Sequence, residues 1–214
     1  MNSEQWDARY RDARTNTDTG LWSTQAPRAI TDVLSDLTPG TALDIATGDG
    51  RTALWLAANG WVTTAVDFSA EALRTARERA DAHGLEVNWV RADLTSWRTA
   101  DRFDVVTVAY LHLPRADNTS VLRAAASWVA PNGELIVLGH DIQNLDTGAP
   151  GPRDPELLYT PELLRDAVSE YLDILQCRTV IRDAASDAEL PVGSPGQARD
   201  TFLRARRGPA ASQL

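Results

Sequence analysis

From about residue 40 onward, short apolar runs alternate with longer windows whose apolar positions recur at helical spacing, the rhythm of βαβ units around a parallel sheet. ALDIA (42–46) predicts a buried strand, and Arg51 to Ala58 a helix closed by Asn59-Gly60. WVTTAVD (61–67) is a second strand. Ser69 then caps a helix from 70 to about 82, with Glu71 in its positive first turn and Gly84 past its end. VNWVRAD (87–93) is a third strand, and FDVVTVAY (103–110) a fourth, apolar on both faces as a central parallel strand is. Leu122, Ala125, Ala126 and Val129 share one face of a helix over 117–130, after which Pro131-Asn132-Gly133 turns into a fifth strand, ELIVLGHD (134–141).

The flanks read differently. Residues 1–26 are polar but carry Trp6, Tyr10 and Trp22, which predicts one short helix followed by a cover segment. A helix over 27–37 follows from Pro27, suited to a first turn, and from Ile30, Val33, Leu34 and Leu37. Downstream, 142–159 is rich in Gly, Pro and Asp and reads as a long surface loop of functional use. Thr160-Pro161-Glu162 opens another helix. Two strands at about 172–182 and 198–207 look like an antiparallel pair around a loop holding Pro191, Gly193, Pro195 and Gly196, and 208–214 reads as a disordered tail. With 214 residues and 43% hydrophobic composition, one core is expected: a domain over 27–207 behind the cover segment 1–26.

Charge and composition narrow the chemistry. A net charge of −9 repels phosphate backbones and anionic lipid, so neither nucleic-acid nor membrane partners are expected. The start, MNSEQWDARYRDAR, lacks the apolar core of a secretory signal, and no stretch approaches the roughly 20 apolar residues that span a bilayer, so a cytoplasmic location is expected. The single Cys177 excludes an internal disulfide framework and any multi-cysteine metal site, and His83, His112 and His140 lie too far apart for a metal motif. Every basic residue is arginine. Without lysine there is no Walker A loop, no pyridoxal Schiff base and no kinase strand lysine.

The first strand runs into D-I-A-T-G-D-G (44–50) directly ahead of a helix. Gly48 and Gly50 let a ligand approach the backbone, and the helix start offers N–H groups with partial positive charge. Gly48 to Ala53 also fits the dinucleotide fingerprint G-x-G-x-x-A, so the turn alone does not choose between cofactors. Asp67 ends the second strand, where a carboxylate can accept from both ribose hydroxyls of a nucleoside. Asp93 ends the third in R-A-D-L, where it can accept from an adenine amino group while Leu94 contacts the ring. Together the turn and the acids point to an adenosine site at the sheet's carboxyl edge.

The stretch from about 40 to 141 resembles the class I S-adenosylmethionine-dependent methyltransferases, within the small-molecule group that includes tellurite-resistance and thiopurine-type enzymes. The resemblance implies a Rossmann-like α/β fold: a seven-stranded, mostly parallel sheet with helices on both faces and a terminal antiparallel strand. It implies S-adenosylmethionine as cofactor and a small-molecule acceptor with an O, N or S nucleophile. Asp44 matches the acid near the cofactor's methionine end, Asp67 the ribose acid and Asp93 the adenine-side acid. Ala46, Thr47, Gly48, Gly50, Phe68, Ala92, Leu94, Ala109 and Tyr110 fall at cofactor-lining positions, and Tyr10 belongs to the cover over the site. Two positions depart from the pattern: Ala46 replaces the usual first glycine, and Asn132 stands in the later P-G-G turn. A nicotinamide-dependent oxidoreductase is the rival reading, though the tyrosine–lysine pair of a short-chain dehydrogenase cannot be built here; a non-catalytic S-adenosylmethionine-binding protein is the other.

A sulfonium methyl is already activated, so alignment and exclusion of water carry most of the reaction. A base is needed only for a hydroxyl or protonated amine. His112, in A-Y-L-H-L-P just past the fourth strand, is the first candidate, with His140 and Asp141 behind it.

Overall fold

The computed structural model describes residues 1–16, 24–149, 151–182 and 198–210. The chain divides into two compact units, Met1–Trp97 and Arg98–Leu214. Seven strands follow the order β3-β2-β1-β4-β5-β7-β6, mostly parallel, with helices around them, so the expected fold class holds. Among the described residues no helix is long and apolar enough to cross a membrane.

In the first unit, β1 (Thr41–Ile45), β2 (Val62–Asp67) and β3 (Asn88–Arg91) are parallel, with Asp44 opposite Ala65 and Asp67 opposite Arg91. Leu43, Ile45, Ala65 and Val66 are fully buried, which is why these runs are apolar without alternation. Helix α1 spans Ser3–Asn16 and α2 spans Arg28–Leu34; Pro27 stands just before α2 rather than in its first turn. Helix α3 (Arg51–Ala58) ends at Asn59, and the left-handed residue of its cap is Gly60, with φ 85°. Helix α4 (Ala70–Ala82) begins as expected: the Ser69 hydroxyl accepts from Ala72 N–H at 3.1 Å. It buries Ala72, Leu73, Ala76 and Ala80, and small residues let it pack closely.

In the second unit, β4 (Phe103–Ala109) and β5 (Val129–His140) are parallel, and β7 (Ala198–Arg206) runs antiparallel to both β5 and β6 (Asp173–Arg182). Helix α5 is Arg115–Trp128, and α7, Pro161–Val168, is capped by the Thr160 hydroxyl. Two expectations are corrected. Pro131-Asn132-Gly133 is not a turn before the strand but an irregularity within β5, which pairs Val129 with Phe103 before the register shifts. Asn132 takes φ 63°, and a Cβ on Gly133 would lie 2.8 Å from the Asp104 carbonyl, so the backbones pass too closely for a larger residue. The segment 142–159 is not simply a surface loop. It holds α6 (Asn144–Thr147) and a 3-10 turn (Pro155–Leu157), then buries Leu158 and Tyr159, the latter bridged to Asp141. A Cβ on Gly139 would run into the Tyr159 ring, which shows why β5 carries glycine there. Trp22, the loop with Pro191 to Gly196, and residues 211–214 of the expected tail lie outside the described residues.

Candidate functional site

The strand-to-helix turn in the first unit is wound through three left-handed residues, Ala46 (φ 55°), Gly48 (φ 57°) and Gly50 (φ 84°). Ala46 is the costly one, since a Cβ there meets the following carbonyl and costs roughly 1–2 kcal/mol. The turn is held from several sides. Thr47 N–H donates to Val66 carbonyl at 3.1 Å, and the Thr47 hydroxyl donates to the buried Asp44 carboxylate at 2.5 Å. A Cβ on Gly50 would lie 2.9 Å from both Ala76 and the Trp89 ring, so glycine is required there for packing as well as conformation. Helix α3 has no side-chain cap, and its first amides follow the turn directly.

Asp67 is tied into this turn rather than standing beside it. Gly48 N–H donates to its Oδ2 at 2.8 Å and Ser69 N–H to its Oδ1 at 2.9 Å, while Ala92 N–H donates to the Asp67 carbonyl at 3.0 Å. Burial pushes the Asp67 carboxyl up to about 6; the Ser69 and Gly48 amides oppose that, and the nearby Asp7 charge adds to it.

Helix α1 reaches the same place. Asp7 Oδ1 accepts from the Ser69 hydroxyl at 2.5 Å and from Glu71 N–H at 3.2 Å, which seats a carboxylate on the first turn of α4. One turn on, Tyr10 is buried, and its hydroxyl lies 2.7 Å from where a Cβ on Gly48 would stand. Trp6 packs on Tyr10 with ring centroids 6.1 Å apart. Asp49, also in the turn, pairs with Arg79 of α4 at 3.2 Å; burial raises its carboxyl, and the charges of Arg79 and Arg51 oppose the rise. Asp7, Ser69 and Arg79 were not singled out as site residues. The three-residue spacing of Asp7 and Tyr10, which puts both on one helix face, was the signal available.

Tyr10, Asp44, Ala46, Thr47, Gly48, Gly50 and Asp67 therefore stand around one turn, with Ala92 joined to it through the backbone. Phe68 and Ala92 are half-buried and Leu94 is buried. Asp93 is exposed, and its Oδ1 accepts from Thr95 N–H at 2.9 Å and the Thr95 hydroxyl at 2.7 Å, so it caps its own loop.

In the second unit, Ala109 ends β4 and Tyr110 follows it at φ 53° with its N–H on the Leu138 carbonyl at 2.7 Å. The Tyr110 hydroxyl donates to Asp200 Oδ2 at 2.9 Å. His112 stacks on His140 at 5.5 Å with planes 15° apart, and Tyr110 lies 4.8 Å from His140 on ring centroids. Asp200 is buried and ion-paired to the buried Arg182 at 3.1 Å. Asp141, a reserve candidate for base, is occupied: Thr179 and Thr201 hydroxyls donate to its Oδ2 at 2.8 Å, and Gln143 N–H to its Oδ1 at 2.9 Å. Tyr159 is buried, donating to the Leu111 carbonyl at 2.8 Å and accepting from Asn118 at 2.7 Å. Burial holds its hydroxyl far above the usual phenol range, so it stays protonated.

Strand order and glycine turn together define a Rossmann-like α/β fold. Residues 42–133 match the family described as a methyltransferase domain, which bears out the resemblance drawn from the turn and the acids. The chain is 37% identical over 114 residues to a demethylmenaquinone methyltransferase of Thermus thermophilus, covering 52% of each. It is 35% identical over 112 residues to a ubiquinone biosynthesis O-methyltransferase of Aeromonas salmonicida, covering 50% of this chain and 46% of that one. The match thus spans about half the length of these curated relatives. Among solved structures, a protein from work on the conversion of a disulfide bond into a thioacetal group during echinomycin biosynthesis superposes with TM-score 0.73 at 23% identity, over 98% of this chain and 93% of that one. TehB from Haemophilus influenzae gives 0.69 at 15%, over 94% and 67%. At these identities the two structures speak for the fold.

Proposed function

We propose that the protein is an S-adenosylmethionine-dependent methyltransferase with a small-molecule acceptor. The observation that carries this reading is the bond from Gly48 N–H to Asp67, which makes the glycine turn and the ribose acid one preorganised piece. The cofactor passes a test of fit. A carboxylate offers about four lone-pair sites, and the two amides on Asp67 engage one on each oxygen, leaving each able to accept a ribose hydroxyl. The turn through Gly48 and Gly50 delivers the chain to the start of α3, where uncapped amides suit a carboxylate. Asp44, oriented by Thr47, suits an ammonium group.

In this reading Asp67 holds the ribose, and Phe68, Ala92, Asp93 and Leu94 form the adenine side. Ala46, Thr47, Gly48 and Gly50 with Asp44 hold the methionine end. Tyr10 covers the turn, and Ala109 and Tyr110 line the cofactor. His112 belongs to the acceptor side. The domain is 27–207, behind the cover segment 1–26. When bound, the cofactor supplies an activated methyl group; the chain's own part is to orient, to exclude water and to manage the acceptor's proton. The relatives acting in quinone biosynthesis support a small-molecule acceptor.

Calorimetry with S-adenosylhomocysteine tests the reading. One site per chain, with a rise in melting temperature that grows with ligand concentration, is the expected result. Binding of NAD or NADP in its place would replace the reading with an oxidoreductase.

A further inference from the structure

Sequence spacing favours His112 as the proton acceptor, but the second unit surrounds His140 with a more complete apparatus. Asp200 presents two buried oxygens. Its Oδ2 takes the Tyr110 hydroxyl at 2.9 Å and stands 3.1 Å from Arg182 Nε. Its Oδ1 has no hydrogen-bond partner among the described residues, and His140 Nδ1 lies 3.5 Å away. Arg182 Nη2 also lies 3.4 Å from that Nδ1, so two tautomers compete. If Nδ1 accepted from Arg182, the proton would sit on Nε2 and Asp200 Oδ1 would stay buried with no donor. If Nδ1 carries the proton, Oδ1 at 3.5 Å is the acceptor it faces, and Arg182 loses one weak contact out of its five donors. The second arrangement wins because an unanswered buried carboxylate oxygen is the costlier defect.

We infer that Asp200 is a positioning residue that holds His140 as the Nδ1–H tautomer, and that Nε2 of His140 is the base for an acceptor bearing an O–H or N–H group. The inference rests on the methyltransferase reading. Among the described residues Nε2 has no hydrogen-bond partner. The ring meets Tyr110 at 4.8 Å and the stacked His112 at 5.5 Å between centroids, and a Cβ on Gly151 would stand 3.5 Å from it. The charged and titratable groups facing it are Asp200 from β7, Arg182 from β6, Tyr110 after β4 and His112 from the next loop. In the step, the acceptor's O–H or N–H bond breaks, its electron pair stays on the heteroatom and forms the new bond to the methyl carbon, the carbon–sulfur bond would break with its pair leaving on sulfur as the neutral thioether, and the proton goes to Nε2. The resulting imidazolium is balanced by Asp200, and water takes the proton afterwards. A thiol already ionised near neutral pH has no need of this device.

Long-range proton–nitrogen spectra of histidine-labelled protein test the arrangement without any acceptor. Three histidines give three ring patterns, and His140→Gln assigns the one at issue. The wild type is expected to show Nδ1–H at His140, and Asp200→Asn to lose that preference; Nε2–H in the wild type overturns the proposal. The tautomer thus decides the arrangement even if Asp200→Asn does not fold. For the chemical step, catechol, benzylamine and thiophenol serve as O–H, N–H and S–H probes. His140→Gln should lower turnover of catechol or benzylamine by about 10²–10⁴-fold and leave S-adenosylhomocysteine affinity unchanged. Full turnover in His140→Gln, or wild-type transfer to the thiol alone, overturns it. Absence of S-adenosylhomocysteine binding would instead sink the methyltransferase reading, with the tautomer result standing apart from it.

Discussion

Asp67 and Asp200 are both buried carboxylates, 6% and 2% exposed, but the two units surround them differently. Asp67 is met by backbone amides, Gly48 from the turn after β1 and Ser69 two residues on, and the charge that acts on it is another acid, Asp7. Burial therefore lifts it to about 6, and further donors on its oxygens are favoured. Asp200 is met by side chains from separate strands, Arg182 and His140, and by Tyr110. A buried carboxylate with no cation beside it is suited to hold a ligand, whereas one already paired with a cation is suited to hold another side chain. The first unit should accordingly respond in cofactor affinity, the second in stability and turnover.

The largest expected effect is on the balanced acid. Arg182→Met leaves Asp200 buried without its cation, a change that typically costs about 3–5 kcal/mol, so urea unfolding should shift by that order. An unchanged midpoint would mean that Arg182 and Asp200 are not paired in solution. In the other unit, Asp67→Ala should weaken S-adenosylhomocysteine by about 10²–10⁴-fold, since each hydrogen bond to a charged group is worth about 1.5–3 kcal/mol. It also strands the Gly48 and Ser69 amides, so some loss of melting temperature should accompany it, unlike in a site built of side chains alone. Asp67→Asn keeps one acceptor and should fall between; equal affinity for all three proteins would place the ribose elsewhere.

Acidity gives a further test at Asp67. The folded Asp67 carboxyl is raised from 3.8 to about 6, so the stability it contributes is fully present below 3.8 and is lost as pH rises through about 6. Hydroxyl donors favour the ionised form, so ligand affinity runs the opposite way and should be about tenfold weaker near pH 5 than near pH 7. Calorimetry in buffers of different ionisation enthalpy should register proton release on binding near pH 6, and no release would separate Asp67 from the ligand. The smallest effect concerns strain. Ala46→Gly should relieve roughly 1–2 kcal/mol of left-handed strain against about 0.4–1 kcal/mol of added unfolded-chain entropy, a net stabilisation of up to about 1.5 kcal/mol. A lower melting temperature would show that the methyl group is packed rather than strained.

The legible parts of the chain were those decided by neighbours in sequence. Strand and helix positions from Thr41 to Ala109 followed from apolar runs and caps because each is marked by residues adjacent in sequence, and the Ser69 cap needs only the residue three places on. The glycine turn was readable for the same reason: Gly48 and Gly50 announce backbone conformations that other residues avoid. Tertiary structure decided the rest. It took Pro131-Asn132-Gly133 into β5, since pairing with β4 outweighed turn chemistry, and it gave the segment 142–159 buried anchors through Tyr159. It joined Asp67 to Gly48 across 19 residues and brought Tyr110 to Asp200 across 90. No local period encodes such distances. A side chain's candidate chemistry is written in its own residue type, whereas its partners, and hence its charge and tautomer, are set only when strands distant in sequence pair.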